Sequence, residues 1–217
     1  LLLKLHPGVV YCHGRLVVLA DGLKKAKCGR KMPAVKLLHQ SGESNTKPTY
    51  IMGHSCQALA FLAKAGRTHH AVPLCARIHE GLVFSNRDRR TLLDKLLLLL
   101  TALQLPEPVL LIADAYYASG KIIHGLFAQG GQLVSRLRSN ACAFEAVPTT
   151  TDPRRRGRPK IYGRKVRLRE LFAAAMETMA SPAYGEQDVT LRWIARDLMW
   201  RPAGCVVRIV AVVHPAR

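Results

Sequence analysis

Apolar positions fall into short blocks whose spacing switches between that of strands and that of helices. Val109-Leu110-Leu111-Ile112-Ala113, behind Pro108, is too short for a helix of its own and is β-branched, so it reads as a buried strand with Asp114 at its exit. Arg15-Leu16-Val17-Val18-Leu19-Ala20 repeats the pattern and also ends in Ala-Asp, at Asp21, followed by Gly22. Residues 50–62 predict a second strand with a bulge at Gly53, and residues 71–79 a third, which Pro73 assigns to a sheet edge. A helix is predicted over 87–105, capped by Asn86, with Leu92, Leu93, Leu96, Leu97, Leu100 and Leu103 at helical spacing as its packing face. Residues 120–130 predict a short helix and 132–138 a fifth strand. The order is three strands, helix, strand, helix, strand, an α/β class with a mixed sheet flanked by helices.

The pattern changes after about residue 140. A Pro- and Thr-rich linker over 148–153 precedes residues 154–169, which carry nine Lys or Arg and no acid. A short helix is predicted over 168–179, then a strand pair over 189–198 and 205–213, turning through 201–204. Residues 1–140 therefore read as an α/β core and 141–217 as a basic linker with a β-rich segment.

Charge narrows the partners. Lys and Arg number 33 against 14 Asp and Glu, a formal net charge of +19, and the pI is near 10.3, the signature of a protein that meets a polyanion. The six cysteines include no C-x-x-C pair, so they point to neither a zinc site nor a disulfide framework and read as reduced cytosolic thiols. Leu1-Leu2-Leu3 is too short for a secretory signal, and the leucine-rich run over 92–105 is too short to span a bilayer and carries Asp94 and Lys95. A start at Leu1 without methionine and a stop at Arg217 predict a segment trimmed at both ends.

The candidate chemistry lies in the two Ala-Asp strand ends, because ligands of α/β sheets bind where strands hand over to loops. Taken singly, Asp21 also fits an Asp-Gly turn and Asp114 a cap for a helix starting near Ser119; their recurrence favours a site. Lys24, Lys25, Lys27, Arg30 and Lys31 follow Asp21 directly, as a basic run able to hold a phosphodiester backbone or as a solvated hairpin arm. Arg136 and Arg138 alternate on the fifth strand and would share one face. Arg154, Arg155, Arg156, Arg158 and Lys160 form a basic loop suited to phosphates, and Arg156-Gly157-Arg158-Pro159-Lys160 has the form of an AT-hook core. His54 reads as a hydrogen-bonded structural residue.

An acid on the first strand and another at the end of the fourth is the layout of the RNase H-like fold. Ala20-Asp21-Gly22, Gly29-Arg30-Lys31-Met32-Pro33, Tyr50-Ile51-Met52-Gly53-His54, Ala113-Asp114-Ala115-Tyr116-Tyr117 and Leu133-Val134-Ser135-Arg136-Leu137-Arg138-Ser139-Asn140 resemble, in order, the catalytic domain of DDE transposases of bacterial insertion sequences. The resemblance runs from about residue 16 to 217. It implies two aspartates and a downstream glutamate holding two Mg²⁺ or Mn²⁺ ions, with Asp21 bridging them and Asp114 as second ligand, for in-line phosphoryl transfer at DNA ends. It further implies double-stranded DNA (transposon ends and target) as partner, a homodimer on DNA, no membrane, and a bacterial cytoplasmic, nucleoid-associated location. The family's third acid follows a further strand. Glu145, Glu170, Glu177 and Glu186 do not, so it is expected beyond Arg217, with residues after about 140 as a β-rich insertion before it. The family's N-terminal DNA-binding segment is also missing from the sequence. On this reading residues 1–217 alone bind DNA and cleave it weakly or not at all. Two alternatives stand beside it: a non-catalytic DNA-binding remnant of a decayed transposase, and an RNase H-like nuclease that cleaves without joining.

Overall fold

Two consecutive residues at positive φ, His13 (49°) and Gly14 (71°), turn the chain from Tyr11–Cys12 (β1) into Arg15–Ala26 (β2), as a tight hairpin between right-twisted strands requires. The structure is a computed structural model describing residues 3, 6–29, 31–39, 48–79, 90–138, 140–147, 160–183 and 185–216. Arg30, Asn86, the 148–153 linker, Arg154, Arg155, Arg156 and Arg158 lie outside the described residues. Two compact units are formed, Leu1–Arg136 and Leu137–Arg217.

In the first unit β2 is followed by Lys36–His39 (β3), Tyr50–Ala65 (β4) and Thr68–Ile78 (β5). β4 runs antiparallel to β2 on one side; on its other side it pairs antiparallel with β5 and, at its N-terminal end, with β3. β4 passes through Gly53 without a bulge. A Cβ at Gly53 would stand 2.3 Å from the Lys25 carbonyl oxygen, so the glycine serves the close approach of β2. The irregularity falls instead where Leu59 pairs with Cys75 and Ala60 with Pro73, leaving Leu74 as the extra residue beside a proline that cannot donate to the ladder.

The leucine-rich helix is Leu92–Ala102 (α1). Its cap is Thr91, whose Oγ1 accepts the Asp94 N–H while Asp94 Oδ2 accepts the Thr91 N–H, a reciprocal capping box that sets the start inside the predicted span. Val109–Ala113 (β6) follows, then a 3-10 turn Ala115–Tyr117, a helix Gly120–Phe127 (α2) capped by Ser119, and Gln132–Ser135 (β7). β6 is parallel to β2 and β7 parallel to β6. The spatial order β5-β4-β2-β6-β7, antiparallel through β2 and parallel beyond it, is that of the RNase H-like fold.

Alternation along β2, β4 and β6 sends Leu16, Val18, Ala20, Leu59, Phe61, Ala63, Leu111 and Ala113 to one face, where Leu96 and Leu100 of α1 and Ile122 and Leu126 of α2 complete the core. Burying each of these leucines or isoleucines contributes roughly 1.5–3 kcal/mol. A Cβ on Gly125 would lie 2.6 Å from the Leu97 side chain, and Lys121 bonds Asp94 at 2.7 Å, so the two helices meet closely and are tied at one end. No helix among the described residues is long and apolar enough to cross a membrane.

The second unit is a five-stranded antiparallel sheet of Cys142–Phe144 (β8), Lys165–Arg167 (β9), Glu177–Ala180 (β10), Thr190–Trp200 (β11) and Cys205–Val213 (β12). The helix predicted over 168–179 is only a 3-10 segment, Leu168–Ala173, because Met179 and its neighbours pair with β11 as β10. Leu168, Leu171, Leu191, Leu198, Trp200 and Ile209 supply its interior.

Candidate active site

Ala20 of β2 and Ala113 of β6 are register partners in a parallel pair, so Asp21 and Asp114, each one residue further on, stand at the same level. β6 ends there, whereas β2 runs on to Ala26, so Asp21 lies within its strand across from Ala58 and not at the strand end or Asp-Gly turn the sequence predicts. Adjacent strands lie about 4.8 Å apart. Alternation directs both carboxylates to the face opposite α1 and α2, beyond Leu19 and Ile112. Both are exposed.

Each acid has one oxygen committed to a nearby backbone N–H. Asp21 Oδ1 accepts the Gly22 N–H at 2.7 Å. Asp114 stays extended (φ −71°, ψ 177°), and its Oδ1 accepts the Tyr116 N–H at 3.1 Å, capping the 3-10 turn. The cap reading of Asp114 is thus real, but it uses one oxygen and a different turn from the helix at Ser119. Ser135 at the end of β7 donates to the Asp114 carbonyl at 2.7 Å, holding the acid's backbone from the third parallel strand.

Among the described residues no Lys, Arg or His forms an ion pair with Asp21 or Asp114, in a chain of net charge +19. By contrast Asp94, Glu145, Asp197 and Glu186 are each paired. Two neighbouring carboxylates that, among the described residues, have no protein cation and each keep an uncommitted oxygen fit hard divalent ions that prefer oxygen ligands.

Behind the acids, Gln57 stands across from Gly22 on the helix-packed face. It is 2% exposed, and its Nε2 donates to the Leu92 carbonyl at 2.9 Å and to the Tyr117 hydroxyl at 3.2 Å. Gln57 Oε1 is buried without a partner among the described residues, a feature that costs on the order of 1–3 kcal/mol. Tyr117 closes the turn that Asp114 opens. Its hydroxyl is held above its ordinary pKa, chiefly by burial and with the nearby charges of Asp114 and Asp21 adding, against the opposing Gln57 hydrogen bond.

β2, β3 and the start of β4 run on past the end of β6 as an antiparallel arm. Its two faces differ. On the acid-bearing face alternation places Leu23, Lys25, Leu37, His39, Tyr50 and His54, with the Tyr50 and His39 rings edge to face at 5.2 Å. Lys24 lies on the other face and donates to the His39 carbonyl at 2.7 Å, so it fastens β3 to the arm. His54 donates from Nε2 to the Pro33 carbonyl at 3.0 Å, the structural role read from sequence. Lys27 and Lys31 follow the arm, half-buried and exposed respectively.

The structure does not place Arg136 and Arg138 on a strand. β7 stops at Ser135, level with Ala113; the next β6-side residue, Asp114, turns away to cap the 3-10 turn, leaving nothing for Arg136 to pair with. Both arginines are exposed, and Arg138 falls in the second unit, as does exposed Lys160. Arg164, counted in the basic stretch, is bound through two hydrogen bonds to Glu145, at 3.2 and 2.6 Å. Sequence reasoning missed Gln57, Tyr117 and Ser135. A lone amide among the inward positions Leu59, Phe61 and Ala63 of β4 was the available signal for Gln57.

The strand order defines an RNase H-like domain, with two neighbouring carboxylates on its parallel strands. The chain matches the family model described as DDE superfamily endonuclease over residues 21–203, a span containing both acids, and it belongs to that family. A search among curated proteins finds no match. Among solved structures it is similar to the piggyBac transposase synaptic complex with hairpin DNA, at 11% identity and a TM-score of 0.37, covering 89% of this chain and 32% of that one. The chain thus spans about a third of that protein's length.

Proposed function

We propose that this chain is the catalytic core of a bacterial DNA transposase that cleaves and rejoins DNA strands at transposon ends, with Asp21 and Asp114 as its metal-binding acids. The observation carrying the reading is the placement of the two carboxylates at one level on neighbouring parallel strands with no protein cation on either, among the described residues. Asp21 and Asp114 would hold Mg²⁺ or Mn²⁺, in a complete site two ions, which when bound activate a water or 3′-hydroxyl and stabilise the leaving oxygen of an in-line phosphoryl transfer. The protein's own part is positional. Ser135, Gly22 and Tyr116 fix the backbone and one oxygen of the acids, and the arm offers Lys25 beside them to a phosphate backbone. Glu145 and Glu186 are committed to Arg164 and His214, so neither is assigned as the third ligand, which is sought beyond Arg217. Double-stranded DNA is the partner, a homodimer on paired ends the working form, and the nucleoid the place of action.

The test is Asp114→Asn in the longer protein carrying the third acid. Metal-dependent strand cleavage should fall to the level of a metal-free control while salt-sensitive DNA binding persists. Cleavage unaffected by Asp114→Asn sinks the assignment. Nicking without strand transfer to a free 3′-hydroxyl end would favour the nuclease, and DNA binding with no cleavage at all the remnant.

A further inference from the structure

The buried polar node behind the acids joins three elements that must keep a fixed relation if the carboxylates are to share a cation. Gln57 lies across from Gly22, the residue after Asp21; Tyr117 ends the turn that Asp114 begins; Leu92 is the first residue of α1. One Gln57 amide nitrogen donates to both Tyr117 Oη and the Leu92 carbonyl. A carbonyl can only accept, so the Leu92 bond fixes which end of the amide faces the node, and Gln57 Oε1 is the atom left unpartnered. The Tyr117 hydroxyl lies over Gly22, 3.5 Å from where a Cβ there would be. A leucine in place of Gln57 would continue the apolar series Leu59, Phe61, Ala63 and remove the orphaned Oε1, but it would strip the buried Tyr117 hydroxyl of its hydrogen-bond donor, so the amide and the hydroxyl stand as a pair.

We infer that Gln57 and Tyr117 are positioning residues that set the spacing of Asp21 and Asp114, by locking the strand carrying the first acid to the turn opened by the second. This rests on the two-carboxylate reading above. Neither residue touches the carboxylates or a substrate; they act through the backbone of β2 and of the 3-10 turn. Outer partners of metal ligands typically govern affinity by about 10–100-fold, and the lower end is expected for an effect passed through backbone.

The experiment measures Mn²⁺ binding to the full 217-residue chain by the loss of the free-ion electron paramagnetic resonance signal, with a thermal melt of each variant. Tyr117→Phe removes only the hydroxyl, and Gln57→Met keeps length and volume without the amide. Each is expected to weaken Mn²⁺ binding about tenfold with an almost unchanged melting temperature. A lowered melting temperature with wild-type Mn²⁺ affinity would assign the node to structure alone and overturn the inference, as would wild-type behaviour in both measurements. Asp21→Asn separates this failure from failure of the underlying reading. If the unaltered chain binds Mn²⁺ no better than Asp21→Asn, the acid pair is not a metal site, and the inference falls with it.

Discussion

Asp197 in the second unit and Asp21 in the first occupy the same kind of position, facing a residue directly across an antiparallel ladder, and meet opposite neighbours. Across from Asp197 stands Arg208, which binds both carboxylate oxygens at 2.8 Å and holds the acid below its usual pKa, chiefly through that hydrogen bond. Across from Asp21 stands Ala58. The second unit likewise binds Glu145 to Arg164, while the first brings Asp21 and Asp114 to one level and, among the described residues, supplies neither with a cation. A chain with 33 Lys and Arg has no shortage of partners, so what separates the two units is placement. Acids that staple a sheet are neutralised across the strands; acids left open beside one another on neighbouring strands remain able to take a cation from solution.

The sharpest way to break this comparison is to give the first unit what the second has. Ala58→Arg would place a guanidinium opposite Asp21, recreating the cross-strand pair of β11 and β12. The expected outcome is Mn²⁺ binding weakened by about tenfold or more. Isothermal titration with Mn²⁺ checks it, alongside circular dichroism to verify the fold. Unchanged binding would mean that Asp21 is not a ligand.

Much of this contrast could be read along the chain, and the unreadable part has physical causes. The Ala-Asp end of β6 and the order of the main strands and helices were legible because buried runs are local signals; the short β1 and β3 and the continuation of β2 past Asp21 were not, since the exposed positions of the arm carry no buried run. The stop of β7 at Ser135 was not, since it depends on where the partner strand turns away, and the residues beyond it keep a strand-like alternation. Thr91 is masked as a cap by the leucine repeat that begins immediately after it, although Thr-x-x-Asp spells the box. Gly53 looked like a bulge because a glycine in a strand marks either a bulge or a close backbone approach, and only the neighbouring strand decides which. The roles of Lys24 and Lys25 could not be separated at all until β3 provided a second strand to the arm.

The second way to sharpen the comparison is pH, through histidines handled differently by the two units. In the second unit His214 meets Glu186 at 3.1 Å. In the first, His79 is 2% exposed and neither ring nitrogen has a partner among the described residues. Burial first, then the positive charges of Lys95, Lys36 and Arg77, lower its pKa from 6.5 to about 4. The unfolded chain therefore binds the proton more readily than the folded one. Stability is full above about pH 6.5 and declines as pH falls towards 4, by up to about 3 kcal/mol, before levelling off. Urea denaturation at pH 7 and pH 4.5 should register the loss, and His79→Leu should remove most of it. An equally steep decline in His79→Leu would place its origin elsewhere.

The smallest effect tests whether the arm's two faces are as unlike as the two units' acids. Lys25 projects on the acid-bearing face and makes no ion pair or hydrogen bond among the described residues, whereas Lys24 is committed to the His39 carbonyl on the far face. A lysine that neutralises one phosphate contributes about 0.9 to the slope of log affinity against log salt concentration. Lys25→Ala should therefore lower that slope by about one, weakening DNA binding evenly across sequences in a fluorescence-anisotropy titration. Lys24→Ala should leave the slope nearly intact and instead speed amide hydrogen exchange in β3, which loses its fastening to β2. Equal slopes lost in both variants would mean that DNA meets both faces of the arm. A slope lost only in Lys24→Ala would move the DNA to the face away from Asp21 and Asp114, and the arm could then no longer be what delivers a phosphate to them.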